Sequence, residues 1–249
     1  MKPTVNLCVF ATGRYREFLV PMVRSAEQFF CADFDRTFHV WSESEFCREC
    51  EYPANVSHKT EYVWHYIEHE PWPNITLHRY RTFLDSAGNL LETGDFSFYA
   101  DVDGKFLRHV GEDILSNLVA VQHAGFVETH FAMLPYERRP DSTAYVPRPM
   151  GYRYYGGGFQ GGRTTTFLDV CKVLDDAIRV DEERGVMARA HDESHWNKYL
   201  AFHRPRRDCY ANAPLDLPAC YLDGEGHPYE RPDTAKFLSL RKNNRLFHQ

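Results

Sequence analysis

Phe96-Ser97-Phe98-Tyr99-Ala100-Asp101-Val102-Asp103 is an aromatic run that ends in two carboxylates, between Gly94 and Gly104. Aromatic residues suit a pleated, buried surface and the glycines mark its ends, so the stretch reads as a buried strand. Asp101 and Asp103 stand i, i+2, a spacing that points both side chains to one side of a strand. At the carboxyl end of a strand they lie where open α/β sheets bind their ligands. Two hard oxygen ligands suit Mn²⁺ or Mg²⁺, whose other positions usually go to substrate phosphates and water. Asp-x-Asp is a short pattern, and a strand running into an acidic turn also accounts for it.

Outward from this strand, Val5 to Ala11 reads as a first strand that breaks at Thr12-Gly13-Arg14-Tyr15. Phe18, Leu19, Met22, Val23, Ala26 and Phe29-Phe30 then recur at helical spacing. Strand, turn, helix is how nucleotide-binding α/β units open, although neither a G-x-G-x-x-G nor a G-x-x-x-x-G-K is present. Phe38 to Trp41 is a second short strand, and Pro53, Pro71 and Pro73 break any long element between 42 and 78. Arg79 to Leu91 is weakly helical, and Leu118 to Gln122 is a further buried strand leading into His123. Pro135, Pro140, Pro147 and Pro149 mark a long loop around Tyr136-Glu137-Arg138-Arg139. The glycine-dense stretch 156–162 allows either a close approach of backbone to a ligand or a tight β-turn. Phe167 to Val180 is an amphipathic helix, and a second helix spans Asp192 to Phe202. The tail from Lys236 carries Arg241, Lys242 and Arg245. Without an internal repeat or linker, a single domain over 1–249 is expected.

The net charge of −6 argues against a general nucleic-acid binder, which needs a basic face. Charged residues at 26% and hydrophobic residues at 43% are ordinary for a soluble globular chain. The 15 Tyr and 18 Phe suit sugar or base stacking, and equally an aromatic core. Of seven cysteines, Cys8, Cys171 and Cys209 read as buried thiols, and Cys47 and Cys50 form a C-x-x-C with no second pair. This usage fits a reducing compartment. No segment approaches the eighteen or so apolar residues of a membrane span, and Val5 to Ala11 is too short for a secretory signal. A cytoplasmic location is therefore expected, and Asn55-Val56-Ser57 and Asn74-Ile75-Thr76 carry no weight as glycosylation sites.

His191-Asp192-Glu193-Ser194-His195 is a second acidic centre. Histidines at i, i+4 on a helix can bind zinc, but the glutamate stands one place later than in H-E-x-x-H and no third ligand is obvious. A helix start whose aspartate caps free amides is the plainer reading. The basic tail suits a solvated face or a cover over a diphosphate. Taken together, a βα unit for uridine, a metal on the diphosphate, a carboxylate near the anomeric carbon and basic groups for the leaving group describe a nucleotide-sugar transferase. A carbohydrate-binding protein without catalysis and a zinc hydrolase on His191 and His195 are the alternatives from other classes.

Five blocks then occur in order: Phe10-Ala11-Thr12-Gly13-Arg14-Tyr15, Asp101-Val102-Asp103, Tyr136-Glu137-Arg138-Arg139, Tyr154-Tyr155 with Phe159-Gln160-Gly161-Gly162, and His191-Asp192-Glu193-Ser194-His195 with Asn197-Lys198-Tyr199. With them the chain resembles glycosyltransferase family 6, which includes the ABO blood-group transferases and alpha-1,3-galactosyltransferase. The resemblance implies the α/β GT-A fold, a nucleotide-binding, Rossmann-like mixed sheet flanked by helices. It divides the domain into a UDP-binding half (1–103), an acceptor and catalytic half (104–235) and a basic tail over the diphosphate (236–249). It also implies retaining transfer of GalNAc or Gal from a UDP donor, in alpha-1,3 linkage, to a galactoside acceptor that can be fucosylated. On matching positions, Phe10, Ala11, Thr12 and Tyr15 hold uridine, Arg79 and Val102 reach the donor, and Asp101 and Asp103 bind Mn²⁺, with Mg²⁺ as the alternative. His123 and His191 contact the acceptor, Asp192 holds the donor sugar, and Glu193 faces the anomeric carbon and the acceptor. Lys236 and either Lys242 or Arg241 meet the diphosphate. The donor-selecting triplet of the family is Gly156-Gly157-Gly158 here. With no Cβ at 157 or 158 there is room for an N-acetyl group, which favours UDP-GalNAc over UDP-Gal by a modest margin. Pro135 and Ala190 replace a threonine and a tryptophan that shape the acceptor site, so the acceptor is less defined than the donor.

Overall fold

The first hundred residues supply four strands that lie side by side and parallel. These are β1 (Thr4–Phe10), β2 (Asp35–Ser42), β3 (Thr60–Tyr66) and β4 (Phe96–Ala100). β1 pairs with β2 on one side and β4 on the other, and β2 pairs with β3. β1 is buried from Val5 to Phe10 and β4 throughout, as strands covered on both faces must be. Between β1 and β2 runs α1 (Leu19–Phe29), which buries Leu19, Met22, Val23 and Ala26 at helical spacing. The computed structural model describes residues 2–43, 60–203, 215–226 and 233–247. Cys47, Cys50, Cys209 and Asn55 lie outside the described residues, whereas Cys8 and Cys171 are buried thiols as expected.

After β3 come three short helices, α2 (Asn74–Leu77), α3 (Arg79–Asp85) and α4 (Ala87–Thr93). The single weak helix expected over 79–91 is thus two helices, divided at Ser86. β5 (Gly104–Phe106) and β6 (Val119–Gln122) precede the stretch 135–151, which holds no helix or strand.

The glycine-dense stretch is not a tight β-turn: it is β7 (Tyr155–Arg163), buried from Tyr155 to Gly162. β7 runs antiparallel between β4 and β6, and the seven-stranded order is β3-β2-β1-β4-β7-β6-β8, with β8 at Leu215–Leu217. Glycine normally weakens a strand, and here it is demanded by close approach. A Cβ at Gly161 would stand 2.3 Å from the Ser97 carbonyl oxygen and 2.6 Å from Phe98 Cα. The pairing with β6 jumps between Ala120 opposite Gln160 and Val121 opposite Gly156, so residues 157–159 bulge out of register. Bulges of this kind re-aim backbone next to functional sites.

Two long helices cover one face: α5 (Thr164–Glu183) and α6 (His191–His203). Both extend slightly beyond the spans expected from sequence. With α3 they enclose a core that holds Trp41, Tyr80, Phe83, Phe167 and Trp196. The opposite face packs Phe30, Phe38, Phe98, Phe106, Phe159 and Phe237 against α1. A small sheet of order β5-β10-β9, with β9 at Asp223–Gly224 and β10 at Phe237–Ser239, brings the tail beside the end of β4. The result is the expected mixed sheet flanked by helices, and no described helix is long and apolar enough to cross a membrane.

Candidate active site

At the end of β4 the chain turns away from the sheet and its polar groups are taken up one by one. The Asp101 amide donates to the Gly158 carbonyl of the bulge at 2.9 Å, and the Tyr99 hydroxyl donates to Asp101 Oδ1. The Asp103 carboxylate is buried and accepts from Lys242 Nζ of the tail, while the Leu240 amide donates to the Asp103 carbonyl at 2.8 Å. Burial pushes the Asp103 carboxyl up, Asp101 pushes it the same way, and Lys242 opposes both. A positive neighbour therefore favours the ionised Asp103.

The second group of carboxylates stands in the first turn of α6, where the helix dipole favours negative charge. Tyr136-Glu137-Arg138-Arg139 and the residues after Glu193 explain why the turn sits where it does. Glu137 is 2% exposed and accepts from the amides of Arg139, at 2.9 Å, and Arg189, at 2.7 Å. Arg139 reaches the Met187 carbonyl, and Arg138 Nη1 donates to the Val146 and Pro147 carbonyls at 2.6 and 3.1 Å. Burial works against the Glu137 charge, yet the Arg139 side chain and the two amides hold its carboxyl down at about 2. Deeper in α6, Asn197 donates to the Tyr155 carbonyl and accepts from the Tyr155 amide, both at 2.8 Å, which pins the helix to the start of β7.

Held this way, Asp192 and Glu193 flank Gly157. Arg79 Nη2 pairs with the Asp192 carboxylate, Arg79 Nη1 donates to the Gly157 carbonyl at 3.1 Å, and the guanidinium lies 4.5 Å from the centre of the Tyr99 ring. Burial opposes the Arg79 charge, but Asp192, backed by Tyr99, Tyr80 and Asp101, holds it above the usual arginine value. The Gly157 amide donates to Glu193 Oε2 at 2.9 Å. Burial raises the Glu193 carboxyl to about 7, since the Gly157 hydrogen bond offsets only part of that effect. Burial, and next the Glu193 carboxylate, also push the neighbouring Tyr154 phenol up.

Two adjoining cavities open over these groups. The larger, about 580 Å³, is lined by Asp101, His123, Gly156, Gly157, Gly158, Glu193, Arg241 and Lys242 among others. The smaller, about 150 Å³, is lined by Phe10, Thr12, Tyr15, Val102 and Asp103, and shares Asp101 and Lys242 with the first. Arg79 and Asp192 lie buried behind Gly157 rather than on either lining. Ala11 is fully buried, and its carbonyl accepts from Ser42 Oγ at 2.6 Å. Lys236 is not brought to the site: it pairs with Asp113 at 2.5 Å and donates to the Tyr221 hydroxyl at 2.7 Å. His191 lies edge-on to Trp72 at 4.8 Å, and His195 faces Asp181 at 3.8 Å, so the two do not converge. Among the described residues no group of three or more His, Cys, Asp or Glu is placed to hold a metal ion.

Sequence reasoning passed over Tyr99, Trp72, Thr76 and Leu222, all of which line a cavity. Tyr99 had a signal, because it stands i−2 from Asp101 on the same side of the strand. Leu222 had none.

The model of Glycosyltransferase family 6 matches residues 1–210 of the chain. The chain belongs to glycosyltransferase family 6. It is 34% identical over 205 residues to Histo-blood group ABO system transferase 1 of Rattus norvegicus, covering 82% of this chain and 58% of the relative. Globoside alpha-1,3-N-acetylgalactosaminyltransferase 1 of Canis lupus familiaris is 30% identical over 211 residues, again 82% and 58%. O-antigen biosynthesis glycosyltransferase WbnI of Escherichia coli is 26% identical over 203 residues, 81% of this chain and 83% of the relative. The chain therefore spans about three fifths of the first two relatives. Within family 6, the mixed sheet with helices on both faces is GT-A-like.

Proposed function

We propose that this family 6 chain is a retaining glycosyltransferase. It moves GalNAc, with Gal as the alternative, from a UDP donor in alpha-1,3 linkage to a galactoside acceptor, plain or fucosylated. The observation that carries the reading is that Asp101 and Glu193 line one cavity, joined through Asp101 and Lys242 to a smaller aromatic one. Uridine fits the smaller cavity between Phe10, Tyr15 and Thr12, and the sugar fits the larger one against the glycines. The relatives named for N-acetylgalactosamine transfer support GalNAc, as does the absence of a side chain at Gly157.

Asp101 and Asp103 are the residues that would hold Mn²⁺ or Mg²⁺, and the site fits such an ion. Their donors are hard carboxylate oxygens, and the Lys242 ammonium already sits on Asp103 as a cation. Bound there, Mn²⁺ would supply Lewis-acid stabilisation of the departing diphosphate. Lys242 and Arg241 add positive charge on the same side of the cavity. Arg79 and Asp192 fix the bulge that the sugar rests on. When the bond from the anomeric carbon to the phosphate oxygen breaks, its electron pair leaves with UDP. Retention then follows by either of two routes. Glu193 forms an ester that the acceptor hydroxyl displaces, or it stabilises an oxocarbenium-like centre that the hydroxyl attacks from the leaving-group face. In both, the acceptor oxygen bonds to the anomeric carbon and its proton passes to the departing phosphate.

The test is a panel of UDP-GalNAc, UDP-Gal and UDP-GlcNAc against plain and fucosylated galactosides, with Mn²⁺ and with chelator. Metal-dependent transfer from UDP-GalNAc, with an alpha-1,3 product by NMR, is expected. UDP binding without transfer or hydrolysis of any donor would instead favour a carbohydrate-binding role.

A further inference from the structure

Gly156, Gly157 and Gly158 do not leave the same kind of space. Alternate residues of a strand face opposite sides, and a methyl group built on each meets different neighbours. At 157 it would sit in ordinary contact, 3.4 Å from Arg79 Nη2 and 3.5 Å from Asp192 Oδ2. At 156 it would stand 2.4 Å from Leu222 Cδ2, with the next neighbour at 3.6 Å also on Leu222. At 158 it would stand 2.5 Å from Asp101 Oδ2 and 3.2 Å from Leu222 Cδ1. One side chain therefore spans the face that 156 and 158 share. Leu222 lines the larger cavity and packs on the core, following a helical turn at Ala219–Tyr221. That turn is held by the Leu222 amide to Ala219 carbonyl bond at 2.9 Å and the Lys236 amide to Cys220 carbonyl bond at 2.6 Å.

We infer that Leu222 sets the room for the transferred sugar. Its isobutyl group fills volume that the glycines at 156 and 158 leave empty, so the triplet admits a larger sugar only as far as Leu222 allows. This rests on the UDP-sugar reading above. The discrimination is apolar shape selection against the sugar's C2 substituent, a hydroxyl in Gal and an acetamido group in GalNAc. A wall of this kind separates substrates by roughly 10–200-fold for a change the size of a methylene. The three glycines also differ in why they are glycine: 156 yields to Leu222, 158 to the Asp101 carboxylate, and 157 to neither.

The test reads kcat/KM for hydrolysis of UDP-GalNAc and UDP-Gal, so no acceptor is needed. UDP binding by calorimetry and melting temperature check that each variant is folded. Leu222→Ala is expected to raise the GalNAc-to-Gal ratio by on the order of 10-fold, and Leu222→Phe to lower it by a similar factor. Gly156→Ala is expected to depress UDP-GalNAc hydrolysis by on the order of 10-fold, and Leu222→Ala in the same chain to restore it. Gly158→Ala is expected to stay impaired in the Leu222→Ala background, because the Asp101 carboxylate remains in its way. An unchanged donor ratio in Leu222→Ala, or no recovery of Gly156→Ala, overturns the role of Leu222 and leaves the enzyme reading standing. A wild-type protein that neither binds UDP nor hydrolyses either donor overturns both.

Discussion

Glu193 carries the most demanding requirement in the molecule. In the proposed transfer it acts on the anomeric carbon as a carboxylate, yet burial raises its carboxyl from 4.5 to about 7. Transfer is therefore expected to climb with pH through an apparent value near that midpoint, measured as kcat/KM at saturating metal. Glu193→Gln should lower transfer at least about 100-fold while UDP affinity holds, and near-normal turnover would remove Glu193 from its role. Stability supplies an independent reading. A raised carboxyl stabilises the fold while protonated, and that contribution is lost as pH rises from 4.5 through about 7. Urea melts at stepped pH should show Glu193→Gln gaining on the wild type across that window, by no more than about 3 kcal/mol, and level above it. Profiles that stay parallel would mean Glu193 titrates normally.

At the scale of elements, the turn that launches α6 depends on one buried carboxylate. Glu137→Gln would leave the amides of Arg139 and Arg189 and the Arg139 side chain imperfectly paired, at a cost of about 2–3 kcal/mol by chemical denaturation. Because the Glu137 carboxyl is held at about 2, its stabilisation is present above 4.5 and lost as pH falls toward 2. The variant should be less sensitive to acid across that range, and an unchanged acid transition would deny Glu137 this part. Some residues of the family blocks are scaffold, since Glu137, Arg138 and Asn197 bond backbone, whereas Phe10, Thr12, Tyr15, Asp101, Asp103 and Glu193 line the cavities. β1, β4 and α5 were legible because periodicity and burial agree along them. β7 was not, because its glycines answer to the backbone of β4 and 117–118, partners distant in sequence. β3 was hidden among prolines, and the split at Ser86 had no strong breaker to announce it. Asp101 and Asp103 were read from residue type and spacing and Glu193 from the family resemblance, whereas Leu222 arrives through a turn that no local pattern specifies.

Across the whole molecule, the site is a seam. The turn after β4 contributes Asp101 and Asp103, α6 contributes Glu193, the tail contributes Lys242, and a donor lying through both cavities would touch all of them. Ligand binding should therefore stabilise the domain as a unit. UDP with Mn²⁺ at about 100 times its dissociation constant is worth about 2.7 kcal/mol, or roughly 5–10 °C in melting temperature for a domain of this size. Chelator should abolish the shift, and a shift indifferent to chelator would speak against a metal on Asp101 and Asp103. The order in which the strands enter the sheet has a consequence for biosynthesis. β1 to β4 are contiguous in the chain and can pair as soon as residue 100 has left the ribosome. β7 can join only after residue 163 has followed, and α6 and the tail come later still. The nascent chain thus displays Asp101 and Asp103 well before Glu193 and Lys242, so the candidate site can be complete only long after the sheet that carries it has begun to form.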